Sequence, residues 1–432
     1  MHSSFSSSAC NTIHNVEYMP IDDVEKLERY RPGGYHPVVI GEQLKDRYCI
    51  VHKLGFGAYL TVWLARDQQS GKYVAIKVSV SSIDHVSSQE SNVLRRLGTV
   101  YSKANAHPGE ALILPMLDEF LLSGPNGTHR CLVTVPGMMN LADAKDASCT
   151  RLFQLPVARG IVAQLIQAVA FLHSQGIVHG DLHEGNVLIR LPESIDTLSQ
   201  EQLYERYGQP HHEPAIRLDK GPLPQGVPTH AVVPVWLGKE SKLVSLPEAQ
   251  VFLIDFGESF MPLKSKRYHS NVPDTLVPPE IRFESEKPLS FPSDIWTLAC
   301  TIWTILGQRP LFEGYNPSSD CVVKGQVDTL GKLPLQWWLQ WDSRARWFNE
   351  DGTRHSGANA RPLVQRFRDT VQEPRRKCGM GEMGLEEEIA LFDMLHAMLA
   401  FRPEERLTAV EVMGCEWMQR WALPELTRMK IG

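Results

Sequence analysis

The sequence predicts an α+β chain of two lobes, a small β-rich one followed by a larger helical one. Three observations carry that prediction. Between Tyr48 and Thr134 the apolar residues fall in short β-rich runs separated by Gly-containing turns. After Gly137 they recur at helical spacing. At 432 residues the chain is also long enough for each lobe to bury a core of its own.

Taken in order, residues 1–20 open as "MHSSFSSSAC" and are expected to be disordered. They show neither the cationic start nor the apolar run of a secretory leader, and the first Arg is Arg29, which speaks against a mitochondrial one. Residues 21–47 form a lead-in. From Tyr48, "YCIVHKLG", "TVWLARD" and "YVAIKVSV" read as strands, with "QQSGK" as a hairpin turn. "SSQESNVLRRLG" puts apolar residues at helical spacing behind a Ser-rich start that can cap a helix. "ILPMLDEFLLSGPNGTHRCLVTV" reads as a strand pair. Its Asn126-Gly127 suits the intervening turn, so the Asn-Gly-Thr sequon is read as a turn and not as a glycosylation site.

The join near 134–137 separates an N-terminal lobe, 48–137, from a C-terminal lobe, 138–432. In the latter, "RLFQLPVARGIVAQLIQAVAFLHSQG", "SDIWTLACTIWTILG" and "LEEEIALFDMLHAMLAF" read as helices. Residues 191–250 hold eight prolines and read as an insertion in the large lobe, a surface excursion without an apolar face. Trp337, Trp338, Trp341 and Trp347 read as packing residues, "EPRRKCG" (373–379) as a solvated basic loop, and Glu386 to Glu388 as the acidic first turn of a helix.

Composition bounds the partners. Apolar residues make up 43% and charged residues 22%, as in a globular domain. A net charge of −6 leaves no basic surplus, so direct nucleic-acid binding is not expected. No apolar run reads as long enough to span a bilayer, and a monomer is expected. The eight Cys never approach CxxC spacing, which predicts reduced thiols in a cytoplasmic or nuclear protein.

Four separated elements carry chemistry. Phosphoryl transfer needs positioning and charge neutralisation more than covalent catalysis. In "LGFGAYLTV", Leu54, Gly55 and Gly57 begin a strand-turn-strand flap whose backbone N–H groups can face phosphates, and Leu60 fills the third glycine position, making the tip bulkier and less mobile. "VAIK" ends a strand on Lys77, where an ammonium can meet α- and β-phosphates, and Glu90 follows on the next helix as its counter-charge. "IVHGDLHEGNVLIR" supplies His179, Asp181 and Asn186 at H-x-D-x-x-x-x-N spacing: Asp181 to orient or accept a hydroxyl proton, Asn186 to bind magnesium. "VFLIDFGES" delivers Asp255 to the same metal, with Phe256 packed beneath and Gly257 turning the chain. Each part alone is weak; four in this order are strong.

On these residues the chain resembles a eukaryotic protein kinase, and within those it is similar to the SR-protein kinase family and its fungal relatives. "RYRPGGYHPVVIGEQLKDRYCIVHKLGFG", "TVWLARD", "VDTLGKLP" and "FDMLHAMLAFRPEERLTAVEVM" carry the likeness over most of Tyr30 to Trp417. The resemblance implies a bilobal kinase fold, ATP and Mg2+ as cofactors, and γ-phosphate transfer to Ser or Thr of a protein substrate, with Arg/Ser-rich splicing-type proteins as the family's expectation. It implies that Val62, Ala75 and Leu188 sandwich adenine, that Thr134 is the gatekeeper, and that Val135 to Gly137 form the hinge. It further implies a Glu280–Arg406 ion pair, and Asp294 holding the catalytic-loop backbone.

The chain departs from the common pattern at several places. Gly180 replaces the Arg of H-R-D, and His183 replaces the Lys beside the catalytic Asp, so that neutralising the γ-phosphate there depends on a protonated imidazole. Pro273 and Leu276 stand where Ser/Thr kinases place Thr and Tyr before Glu280. The family's acidic docking run is reduced to Asp320 and Asp328. Two alternatives follow from these facts. One is a nucleotide-binding pseudokinase scaffold; the other is a small-molecule phosphotransferase of the aminoglycoside- or choline-kinase type, whose loop "HGDLHEGN" resembles as well.

Overall fold

The computed structural model describes residues 17–81, 84–98, 107–314, 317–355 and 361–431. The chain folds into two compact units. The first comprises Met1–Asp84, Phe120–Cys131 and Ser199–Val235; the second comprises His85–Glu119, Leu132–Leu198 and Trp236–Gly432. Most of the segment expected to be disordered lies outside the described residues, while from residue 17 onward the lead-in is ordered structure.

A six-stranded sheet, order β1-β2-β3-β4-β6-β5, dominates the first unit. Its strands are β1 (Gln43–Leu44), β2 (Tyr48–Gly57), β3 (Leu60–Asp67), β4 (Tyr73–Ser79), β5 (Met116–Gly124) and β6 (Gly127–Thr134). The predicted "QQSGK" turn is held by Asp67, whose carboxylate accepts from Gln69 N–H at 3.0 Å and Ser70 Oγ at 2.6 Å. Arg47 grips the same carboxylate with two 2.8 Å bonds and holds its pKa well below the usual range. Gly71, at φ +67°, supplies the left-handed residue the turn requires.

The insertion corrects the expectation of a surface excursion from the large lobe. Its central part, Ser199–Val235, belongs to the first unit. It carries a capped helix, Gln200–Tyr207, and a hairpin of β9 (His211–Pro214) with β10 (His230–Val233). Ala215, Val227 and Ala231 pack with Tyr18, Leu27, Tyr30, Tyr35 and Val80 in one buried cluster. The apolar positions are spread thinly among prolines, so no periodic stripe announced them, yet together they complete a core. Asn126, of the sequon, is 2% exposed, and its Nδ2 donates to Tyr35 O and to Gly226 O, both at 2.7 Å. It is a structural hub of this unit as well as a turn residue.

Helices dominate the second unit around one large core. A three-stranded sheet, order β11-β8-β7, presents the loops of interest: β7 (Gly137–Asn140), β8 (Val187–Arg190) and β11 (Val251–Leu253). The helix Leu155–Ser174 corrects one expectation. By length and composition it is apolar enough to cross a membrane, but 83% of its apolar window is buried within the protein, as a core helix requires. The helix Phe291–Leu306 is buried along nearly its whole length. Its C-terminal carbonyls are met by two buried cations: Lys145 donates to Thr304 O and, at 2.8 Å, to Gly307 O, and Arg375 donates to Leu306 O at 2.8 Å. Arg375, in "EPRRKCG", is therefore a buried cap on a short helix and not part of a solvated loop. Trp337, Trp338 and Trp341 pack with Phe283, Val323 and Val327, with Trp347 against them, as read from the sequence.

Candidate active site

In the first unit, β2 and β3 form the predicted flap. Gly57 pairs with Leu60, leaving Ala58 and Tyr59 as the tip, and Gly55 pairs with Val62, next to Leu54. Val62 in turn pairs with Lys77, and Leu64 with Ala75. Side chains alternate across a strand, so Val62, Ala75 and Lys77 share a face. Val62 and Lys77 are half-buried, whereas Thr61, Trp63, Ile76 and Val78 on the opposite face are buried. The sheet thus brings together every nucleotide-site residue predicted on β2 to β4.

In the second unit, Glu90 is 7% exposed on the helix Asp84–Gly98. Its neighbour Gln89 donates instead to Ser259 O. Gly137 lies where an added Cβ would come within 2.1 Å of Leu188, so glycine permits the close approach of β7 to β8. Asn140 pairs with Leu188 in that ladder. Thr134, 6% exposed, donates to Val135 O at 3.2 Å. The predicted gatekeeper, hinge and adenine-floor residues of this unit are therefore contiguous.

The catalytic loop is supported from below. Asp294, 1% exposed, accepts from His179 N at 2.7 Å and Gly180 N at 2.9 Å, with His173 Nε2 at 3.0 Å. Thr301 Oγ1 donates to Leu182 O at 3.3 Å. The His179 ring packs on Phe256 at 5.1 Å between centroids, and its Nε2 meets Ile254 O at 3.0 Å. That contact ties the loop to the strand end bearing Asp255.

These supports gather Asp181, His183 and Asn186. Asn186 Nδ2 donates to Asp181 O at 2.9 Å and to Asp181 Oδ2 at 3.1 Å. Asp181 Oδ1 is buried and has no hydrogen-bond partner among the described residues, a costly arrangement unless the oxygen serves a bound group. Asp255 sits at φ +62° with Oδ1 accepting from Gly257 N at 3.3 Å, a strained backbone of the kind found at functional sites. Two carboxylates and an amide supply hard oxygen donors of the kind Mg2+ takes.

His183 lies 3.6 Å from Asp181 Oδ2. Burial opposes charge on its ring, but Asp181, Glu184 and Asp255 outweigh that and raise its pKa. Gly185 N donates to His183 Nδ1 at 3.0 Å, a contact that must give way when the ring takes its second proton.

Gly180 has φ +80°, and an added Cβ would stand 2.6 Å from Glu258 O. The place of the missing Arg is thus closed by backbone. A cation lies instead in the irregular segment after β11: Arg267 donates to Glu258 O at 2.8 Å and to Glu258 Oε2 at 2.6 Å. Sequence reasoning missed Arg267, and also His173; "KSKR" downstream of "DFGES" was the available signal for the former. The Glu280–Arg406 pair is present at 2.6 and 2.9 Å, with Arg406 also donating to Pro292 O. Asp320 and Asp328 are engaged internally. The first meets Arg282, Trp341 and Ser343; the second meets Arg354 and Lys324.

The protein kinase domain family matches residues 48–196. A serine/threonine protein kinase of Aspergillus fumigatus is 26% identical over 414 residues, covering 91% of this chain and 90% of the relative. Serine/threonine-protein kinase SRPK of Physarum polycephalum is 26% identical over 421 residues, 91% of each chain. SRSF protein kinase 3 of Homo sapiens is 33% identical over 169 residues, 39% of this chain and 30% of that one. These likenesses do not favour the pseudokinase or small-molecule phosphotransferase alternatives. Protein kinases generally use ATP and Mg2+, and the chain has the antiparallel-sheet and helical parts of their fold. It is an SRPK-like serine/threonine protein kinase.

Proposed function

We propose that this kinase transfers the γ-phosphate of ATP to Ser side chains of Arg/Ser-rich proteins, with Asp181 as the residue facing the acceptor. The observation that carries the assignment is the buried, unpartnered Oδ1 of Asp181 beside Asn186. In the transfer the Ser Oγ–P bond forms as the bond to the bridging oxygen of ADP breaks, and the hydroxyl proton passes to Asp181. Asn186 and Asp255 would hold Mg2+, which neutralises the phosphate oxygens. Lys77 would meet the α- and β-phosphates, Glu90 would orient Lys77, and His183 would lend charge to the γ-phosphate when protonated. Leu54, Gly55, Gly57, Val62, Ala75, Thr134, Val135, Gly137 and Leu188 would enclose the nucleotide.

The substrate class follows the name of the human relative, SRSF protein kinase 3. The test is phosphorylation of an Arg-Ser repeat peptide beside a generic basic protein. Asp181→Ala and Asp255→Ala should each lower transfer about a thousandfold while the fold melts normally. Unchanged transfer by Asp181→Ala would overturn the assignment.

A further inference from the structure

We propose that the lead-in segment is a strap that fixes the flap for nucleotide, with Tyr35 as its positioning residue; this rests on the nucleotide reading of the β2–β3 hairpin. Tyr35 is 2% exposed, and its hydroxyl donates to Gly57 O at 2.7 Å, with Ala58 O at 3.3 Å. The acceptors are the tip residue Ala58 and Gly57, the last residue of β2 beside it. The next carbonyl, of Tyr59, accepts from Val80 N at 2.9 Å. Three consecutive carbonyls, of Gly57, Ala58 and Tyr59, therefore face protein, the middle one through the longer contact.

The consequence follows from peptide geometry. In a trans peptide the C=O and N–H point in opposite directions. Holding the Gly57 and Ala58 carbonyls against the strap turns the Ala58 and Tyr59 N–H groups away from it. A hairpin that cradles phosphates needs such N–H groups turned to one side together. Unheld, a glycine-containing tip can rotate its peptide planes at little cost.

The strap is itself anchored to the hairpin. Glu25, 3% exposed, accepts from Tyr30 Oη and from Lys53 Nζ, and Lys53 lies on β2 with no exposure. Lys53 Nζ is 5.5 Å from the Phe56 ring and 5.6 Å from the Trp63 ring. The Arg29 guanidinium lies over Tyr35 at 4.9 Å and over Tyr59, at the tip, at 5.5 Å. The turn that delivers Tyr35 demands glycine: Gly33 has φ +85°, and a Cβ on Gly34 would meet Arg29 O at 1.8 Å. Strap and tip also border a cavity of about 890 Å³, lined among others by Tyr35, Gly57 and Ala58.

Tyr35→Phe removes one hydroxyl and keeps the ring. Two readouts separate the strap from the nucleotide reading. Amide exchange across Gly55–Leu60 of the nucleotide-free protein should quicken about fivefold, the worth of one hydrogen bond, with the melting temperature of the whole protein nearly unchanged. The KM for ATP should rise by a similar factor while the KM for the peptide stays level. Glu25→Gln with Lys53→Met, which removes both charges, should give the same signature through the loosened strap. Unaltered flap exchange and ATP KM in Tyr35→Phe would overturn the strap. Faster flap exchange in a protein whose wild type binds no ATP would keep the strap and overturn the nucleotide reading instead.

Discussion

The catalytic loop and the flap are both short turns that must hold a fixed shape, yet they are supported differently. The loop hangs from Asp294, a residue inside the helix "SDIW", and from its own His179; both lie within recognisable motifs. The flap hangs from Tyr35 and Glu25, more than twenty residues upstream, in a segment with no chemistry of its own. The difference teaches that a loop bearing catalytic side chains is rigid by construction, whereas a loop that works through its backbone borrows rigidity from whatever packs on its far side.

Perturbing the loop should produce the larger losses. Asp294→Ala deprives His179 N and Gly180 N of a buried carboxylate. Activity should fall about a hundredfold through misplacement of Asp181, and stability by about 3 kcal/mol, read by denaturant melts. Glu280→Gln leaves Arg406 buried without its counter-charge and should cost about 3 kcal/mol, with a smaller loss of activity. Gly180→Ala forces a Cβ against Glu258 O in a left-handed backbone, for about 1–2 kcal/mol and a measurable drop in kcat.

The first unit answers to pH. His36, 6% exposed and 4.9 Å from the His129 ring, has its pKa pushed down to about 4 by burial, with His129 adding to the effect. The folded ring stays neutral where the unfolded one, at 6.5, takes a proton. Stability is therefore full above pH 6.5 and declines as pH falls toward 4. His36→Phe should flatten that part of a melting-temperature profile; an unchanged slope would assign it to other groups. The smallest effect should come from Leu60→Gly. If the strap and not Leu60 sets the tip, ATP KM changes by less than about twofold.

Much of the site was legible because its chemistry needs particular residue types at fixed spacing: Lys77, Asp181, Asn186 and Asp255 all fall on the elements the sequence named. The two-lobe architecture was legible from the change of period near Gly137. What stayed hidden is contact between segments far apart in sequence. Nothing periodic in "QPHHEPAIRLDKGPLPQGVPTHAVV" shows that Ala215, Val227 and Ala231 close a core around Tyr30 and Tyr35. Arg375 reads as basic until the carbonyls of Phe153 and Leu306 are seen around it. Gly180 reads as a loss of charge until its positive φ and the nearby Glu258 carbonyl explain it as a fit.

The first unit is assembled from three stretches of chain, the last ending at Val235. During synthesis the N-terminal strands emerge early, but the residues that cover Tyr18, Leu27 and Tyr30 arrive only with Ala215 to Ala231, long after the strands of the sheet. The nascent lobe must wait with a tyrosine-rich face uncovered, a natural client for chaperones. A fragment cut at the apparent lobe boundary, residue 137, would inherit that face permanently.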